Sequence, residues 1–170
     1  MGPSQIKIED NINTVKVTTA QEMLEAVKES LPTDIAVCSA AVSDFRTDKF
    51  EQKIKKNNKD LNLKLYQNMD ILSFISNHNN LRPKLVVGFA AETNDVLEYA
   101  AGKLERKQLN MIVANQVGDG KGFDKDSNQV DILTNSGEHI SLPESSKQQL
   151  AFDILDVVCQ FYFKEQPNKT

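Results

Sequence analysis

Ile35-Ala36-Val37-Cys38-Ser39-Ala40-Ala41-Val42-Ser43-Asp44-Phe45-Arg46 begins as an apolar run and ends in small residues, an acid and an arginine. Apolarity that is continuous rather than alternating marks a strand covered on both faces. The run predicts a buried strand over 34–39, and the same pattern recurs over 84–89 and 111–115. Helical periodicity fills the intervals, over 20–30, 69–77 and 94–108. Thr19 is placed to cap the first helix, Asp70 to serve the front of the second, and Thr93 or Asn94 to cap the third. Strands alternating with helices predict an α/β fold: three layers, Rossmann-like, with a doubly wound and mostly parallel sheet. Such sheets bind ligands outside the carboxyl ends of their strands. The segments after Ser39, Phe89 and Ala114 all stand at such ends, so the sequence predicts one crevice there.

Further out, residues 15–18 read as a short strand ahead of the first helix, and 61–66 alternate as a strand at an edge or in a hairpin-like excursion. Residues 129–133 and 139–142 flank Asn135-Ser136-Gly137, a hairpin signal. An amphipathic helix over 145–163 follows, with Leu150, Ile154, Val157, Val158 and Phe161 on one stripe. One domain over 1–170 is expected, fraying past Lys164.

Composition removes several classes of function. Across 170 residues, 39% are hydrophobic and 26% charged, ordinary values for a soluble domain. No apolar run approaches the ~18 residues of a membrane span, and the polar start is not a secretory signal. A net charge of −4 argues against nucleic acid as the partner. Cys38 and Cys159 sit in apolar contexts, which suits a reducing, cytoplasmic setting. The two histidines and two cysteines have no metal-site spacing. Asp124-x-Asp126-x-Asn128 is no calcium loop, because Gln129 stands where the turn needs glycine and Asn135 where a bidentate glutamate belongs. No G-x-G-x-x-G follows a predicted strand, which speaks against a dinucleotide oxidoreductase.

The chemistry-bearing residues each admit two readings. Small residues such as Ala40 and Ala41 let a ligand approach the backbone closely. Asp44 can then take a hydroxyl or a metal, with Arg46 beside it, or the two form a surface ion pair. Lys53, Lys55 and Lys56 can neutralise phosphate or make a solvated loop. Lys103 and Lys107 stand at i and i+4 with no acid at helical spacing. Such a like-charge pair costs a few tenths of a kcal/mol, and position near a helix C-terminus recovers a similar amount. An anion between the ammoniums offsets the repulsion further. Asn68-Met69-Asp70-Ile71 reads as a helix start, whose backbone N–H groups can also hold an anion or a base edge. Phe89, at a strand's end, is either core or a platform for a pyrimidine.

These segments, in order, resemble the phosphopantothenate–cysteine ligase (phosphopantothenoylcysteine synthetase) family. That enzyme is, in most bacteria, the C-terminal half of a bifunctional coenzyme A biosynthesis flavoprotein. The resemblance rests on 40–46 with the lysine loop, 68–71, 86–93, Lys103 with Lys107, and 112–115 followed by 122–128. Met69 replaces the proline usual in the family, and the interval from Asp44 to Lys53 is slightly shorter.

The resemblance implies CTP-dependent joining of 4′-phosphopantothenate to cysteine through an acyl-cytidylate, with Mg2+. It places Lys53 on the phosphate of the activated intermediate as the catalytic lysine. Ala40, Ala41, Asp44, Asn68, Met69, Asp70, Ile71, Phe89, Lys103 and Lys107 go to the nucleotide. Arg46, Ala90 and Asn115 go to the other substrate. It further implies that a strand, a Gly/Ser-rich loop and a helix, with an asparagine used in turnover, come before the segment that starts near Gly2. A homodimer, or pairing with a chain carrying that unit, is therefore expected, as is a catalytically incomplete nucleotide-binding module as the alternative.

Overall fold

The computed structural model describes residues 1–3, 8, 11–48, 52, 62–117 and 127–164. Along the chain the elements run α1 (Ala20–Glu29), β1 (Ile35–Cys38), β2 (Phe45–Arg46), β3 (Tyr66–Gln67), α2 (Ile71–Ser76), β4 (Leu85–Glu92), α3 (Val96–Arg106), β5 (Met111–Gln116), β6 (Ser127–Thr134), β7 (His139–Ser146) and α4 (Lys147–Lys164). They fall into two compact units, one of Met1–Ser30 with Ala40–Ile71, the other of Leu31–Ser39 with Leu72–Thr170.

The second unit is built on a five-stranded sheet in the order β1-β4-β5-β6-β7. β1, β4 and β5 are parallel, with Val37 opposite Val87, and Phe89 opposite Val113. The hairpin of β6 and β7 extends the sheet antiparallel, Val113 facing Ile132. The three parallel strands are the three predicted from continuous apolarity, but β1, at the sheet's edge, is only half-buried and leaves Val37 exposed, unlike the buried strand expected there. Continuous apolarity survives because alternate side chains along each strand meet opposite layers. Leu85, Val87, Met111, Val113, Val130 and Ile132 point to one face and meet Leu150, Ile154, Val158 and Phe161 of α4. Burying each such side chain is worth about 1.5–3 kcal/mol. On the other face Gly88 is closed in by Leu109 and Leu72, and α3 packs across β4 and β5. A Cβ on Gly88 would stand 2.7 Å from Leu109 Cδ1 and 2.9 Å from Leu72 Cδ2, so a larger residue there would make both leucine side chains shift.

Helix α3 departs from its predicted start. Asp95, in the left-handed region at φ 46, precedes the first turn and makes no side-chain cap, so neither Thr93 nor Asn94 is the cap. Its C-terminus closes as a Schellman turn: Leu109 N–H donates to Leu104 O at 2.9 Å and Gln108 N–H to Glu105 O at 3.0 Å. Gln108 takes the left-handed position, φ 51, where glycine is usual. This turn delivers Asn110 to the foot of β5, where Arg82 ties the sheet's amino end together. Its guanidinium donates to Ser76 O (2.7 Å), Pro83 O (3.1 Å), Gln108 O (3.0 Å) and Asn110 Oδ1 (3.0 Å). The predicted hairpin turn forms with Gly137 at φ 87, and Thr134 Oγ1 accepts from Glu138 N–H at 3.0 Å.

In the first unit, α1 opens on the predicted Thr19 with a capping box: Thr19 Oγ1 accepts from Glu22 N–H, and Glu22 Oε2 accepts from Thr19 N–H. Residues 15–18, predicted as a strand, pair with no strand among the described residues. The Val17 N–H donates to Met1 O at 3.0 Å, and the Met1 ammonium to Val15 O. Of the strand predicted over 61–66, only Tyr66 among the described residues takes extended pairing, as part of β3 against β2. The expected fraying beyond Lys164 falls outside the described residues.

Candidate functional site

In the first unit the exposed Ala40 and Ala41 lead into a small clasp. β2 and β3 pair antiparallel with Phe45 opposite Gln67 and Arg46 opposite Tyr66, which brings 43–46 alongside 66–68. Asn68 N–H donates to Asp44 O at 2.7 Å. The Asn68 side chain is held at both ends: Nδ2 donates to Ser43 O at 2.8 Å, and Oδ1 accepts from Arg46 Nη1 at 3.0 Å. The same Nη1 donates to Gln67 O at 2.9 Å. Lys64 Nζ stands 4.9 Å from the Tyr66 ring centroid and the Arg46 guanidinium carbon 5.9 Å, both within cation–π reach. Tyr66 donates its hydroxyl to Asp48 Oδ2 at 3.2 Å, a bond that pushes the phenol up from its ordinary range. The structure thus brings Asp44, Arg46 and Asn68 together, with the carboxylate of Asp44 exposed. Met69 is 59% exposed, whereas Ile71 is buried at 8%. Asp70 is exposed at the front of α2.

The second unit holds the other described candidates, Ala90 and Asn115 towards the carboxyl ends of β4 and β5, and Lys103 and Lys107 in the closing turn of α3. Lys103 reaches back from α3, and its ammonium donates to Phe89 O at 2.7 Å. Ala90 is buried, and Asn115, half-buried, is the register partner of Ala91. Lys107 caps the C-terminus of α3, its N–H donating to Lys103 O at 3.1 Å, so both lysines lie in the region that the helix dipole makes favourable for cations. Lys53, Lys55, Lys56 and residues 122–126 fall outside the described residues.

Nucleophilic chemistry finds little support here. Burial pushes the Cys38 thiol up, away from the reactive thiolate. One cluster escaped the sequence. On the β6–β7 hairpin, Asp131 Oδ1 bonds both His139 Nε2 at 2.8 Å and Ser141 Oγ at 2.6 Å. Asp131 pairs with Ser141 in register and His139 sits diagonally, so the antiparallel ladder alone brings them together. The serine gives its proton to the carboxylate and stands 3.4 Å from the same imidazole nitrogen, so no base–nucleophile relay is formed.

Among the described residues no group of three His, Cys, Asp or Glu side chains could cage a metal. Magnesium carried on a nucleotide needs no such cage, since it takes only one or two carboxylates and draws its other oxygens from water and phosphates.

Comparison with known proteins gives this geometry its context. The DNA/pantothenate metabolism flavoprotein C-terminal domain profile matches residues 1–162. The chain is 41% identical over 165 residues to the coenzyme A biosynthesis bifunctional protein CoaBC of Haemophilus influenzae, covering 96% of this chain and 41% of that protein. Against the protein of the same name from Bacillus subtilis it is 38% identical over 147 residues, covering 85% of this chain and 36% of that one. The chain therefore spans well under half the length of these curated relatives. A crystal structure of the C-terminal domain of a CoaBC protein superposes with a TM-score of 0.76 at 32% identity, covering 97% of this chain and 73% of that one. The DNA/pantothenate metabolism flavoprotein from Streptococcus pneumoniae, at 16% identity and a TM-score of 0.69 over 91% of this chain and 76% of that one, shares the fold. The motif resemblance and the α/β fold are thus both borne out, and the chain belongs to the DNA/pantothenate metabolism flavoprotein C-terminal domain family.

Proposed function

We propose that this chain carries phosphopantothenate–cysteine ligase activity in coenzyme A biosynthesis, using CTP. What carries the reading is the 41% identity over 165 residues to a bifunctional protein of that pathway. In the first step the 4′-phosphopantothenate carboxylate attacks the α-phosphorus of CTP. A carboxyl O–P bond forms, the bond to the β-phosphate breaks, and pyrophosphate leaves. In the second step the cysteine amine attacks the acyl carbon, the amide forms, CMP leaves and the amine's proton passes to solvent.

The first step brings two anions together, so its barrier is met by charge neutralisation and alignment rather than by a protein nucleophile. Lys53 is assigned to the reacting phosphate, and Lys103 and Lys107 to the triphosphate. Ala40, Ala41, Asp44, the 68–71 segment and Phe89 are assigned to the nucleoside end, Ala90 and Asn115 to the acyl substrate. Mg2+, arriving on the triphosphate, supplies further charge neutralisation. The test is turnover of CTP, 4′-phosphopantothenate and cysteine, following pyrophosphate release and amide formation separately. Absence of pyrophosphate with all three substrates would overturn the reading. A homodimer and a cytoplasmic setting go with the same proposal.

A second reading draws on β1, an edge strand of the five-stranded sheet. Val37 in it is 42% exposed. An unpaired edge is a template for another strand. In this reading the chain is a nucleotide-binding module that reaches full activity only with a second polypeptide along β1. CTP binding by calorimetry without turnover, and turnover on adding that polypeptide, would favour it.

A further inference from the structure

We propose that Arg46 is a positioning residue, which holds the Asn68 amide in one orientation and so selects cytosine over uracil. This rests on the reading that the chain takes CTP with Asn68 at the nucleoside end. The resemblance implies a place for Arg46 at the other substrate; the proposal gives it a different task, argued from its bonds.

A primary amide is nearly symmetric in shape and opposite in sense at its two ends, Oδ1 accepting and Nδ2 donating twice. Asn68 has neither end to choose. Arg46 Nη1 donates to Oδ1 at 3.0 Å, and Nδ2 donates to Ser43 O at 2.8 Å. A guanidinium only donates and stays charged. A flipped amide would set Nδ2 against Nη1, donor on donor, and Oδ1 against the Ser43 carbonyl, acceptor on acceptor. Both bonds would be lost and both contacts would become repulsive. Arg46 is itself anchored, through Gln67 O at 2.9 Å and by its place opposite Tyr66 in the β2–β3 pair. The Asn68 backbone is fixed in turn by its bond to Asp44 O at 2.7 Å.

Held this way, the amide has its carbonyl engaged by a cation and a second N–H left to offer. Cytosine presents acceptors at O2 and N3, whereas uracil presents a donor at N3. A fixed donor suits the first base and opposes the second, and specificity built on opposition needs that fixed orientation.

Calorimetry with magnesium–CTP and magnesium–UTP on the whole chain tests this, with circular dichroism on each variant. The parent should prefer CTP. In Arg46→Ala the CTP-to-UTP affinity ratio should fall about tenfold, the size of one lost edge discrimination. Arg46→Lys, which can reach Oδ1 with one ammonium, should lie between. Asn68→Asp keeps an acceptor for Arg46 and removes the donor, so it should reverse the preference towards UTP. An Arg46→Ala variant that weakens both nucleotides by the same factor, or neither, overturns the proposal. Should that variant unfold, Arg46→Lys and Asn68→Asp decide, and an unchanged ratio in both overturns it equally. A parent that binds the two nucleotides alike overturns the proposal and leaves the nucleotide site standing. A parent that binds neither removes the CTP reading and the proposal with it.

Discussion

The Lys103 ammonium donates to the Phe89 carbonyl at 2.7 Å, linking helix α3 to the carboxyl-terminal half of strand β4. Both residues were singled out from sequence for separate reasons, one as half of a like-charge pair, the other as the last large residue of a strand. The bond sets the positive charge against the carboxyl-terminal half of β4. It also satisfies a carbonyl of that strand, so Lys103 serves the fold even before any phosphate arrives.

Lys103 and Lys107 should therefore respond differently to substitution. Lys107→Ala should cost about 1.5–3 kcal/mol of CTP affinity, the range of a charge-assisted bond, and little stability. Lys103→Ala should cost similar affinity and also about 1 kcal/mol of stability, through loss of the bond to Phe89. Calorimetry with CTP and urea unfolding of both variants separate the two effects. Unchanged CTP affinity in Lys107→Ala would remove that residue from the triphosphate.

Arg82, half-buried in the loop before β4, is expected to be among the most sensitive positions of the described residues. It makes bonds to three backbone carbonyls, and it shares Asn110 Oδ1 with the Val86 N–H. Arg82→Ala leaves part-buried acceptors without their donor, at about 1–3 kcal/mol for each buried group so orphaned. Denaturant unfolding should show a midpoint well below that of the parent, and Arg82→Lys, lacking the planar fork, should recover little of it.

Why the sequence announced some of this and not the rest follows from range. The runs at 85–87 and 111–114 are legible because burial on both faces leaves a mark in consecutive residues, whereas 35–37 carries the same apolar run on a half-buried edge strand. Thr19 with Glu22 is legible because a capping box closes within one helical turn. Arg82, by contrast, looks like a loop arginine before a proline, and its partners lie up to 28 positions away. Residues 15–18 alternate like a strand, but alternation does not create a partner strand. At Asn68 the sequence showed a helix start. Only pairing with residues 43–46 shows that both ends of its amide are already engaged. Asp131, His139 and Ser141 were invisible for the same reason, being assembled by hairpin register.

That hairpin cluster should give stability a measurable acid limb. Burial alone would raise the Asp131 carboxyl, but hydrogen bonds from Ser141 and His139, with the charge on His139, outweigh it and hold the group below its usual range. A carboxyl lowered in the folded state stabilises the fold above its unfolded value, and that contribution is lost as pH falls through the folded one. Thermal midpoints should therefore drop through the acid side of the carboxylate range. Asp131→Asn should flatten the drop while leaving the midpoint near neutrality only modestly lower. An identical acid limb in the variant would show that other carboxylates govern it.

Lys53 offers the sharpest separation of binding from chemistry. Assigned to the phosphate of the acyl-cytidylate, it should contribute mainly where charge develops as pyrophosphate departs. An interaction made in the transition state and not in the ground state lowers kcat and kcat/KM together while leaving substrate affinity in place. Lys53→Ala should thus retain CTP affinity within about twofold and lose about 10²–10³-fold in pyrophosphate release, the loss typical when one preorganised charge partner is removed. Lys55→Ala, two positions further along the sequence, should affect neither by more than a small factor. If Lys55→Ala shows the large kinetic loss and Lys53→Ala does not, the catalytic lysine is Lys55, and the shorter interval after Asp44 has shifted the role by two residues. If neither loses activity, the charge for the first step comes from Lys103, Lys107 and the metal.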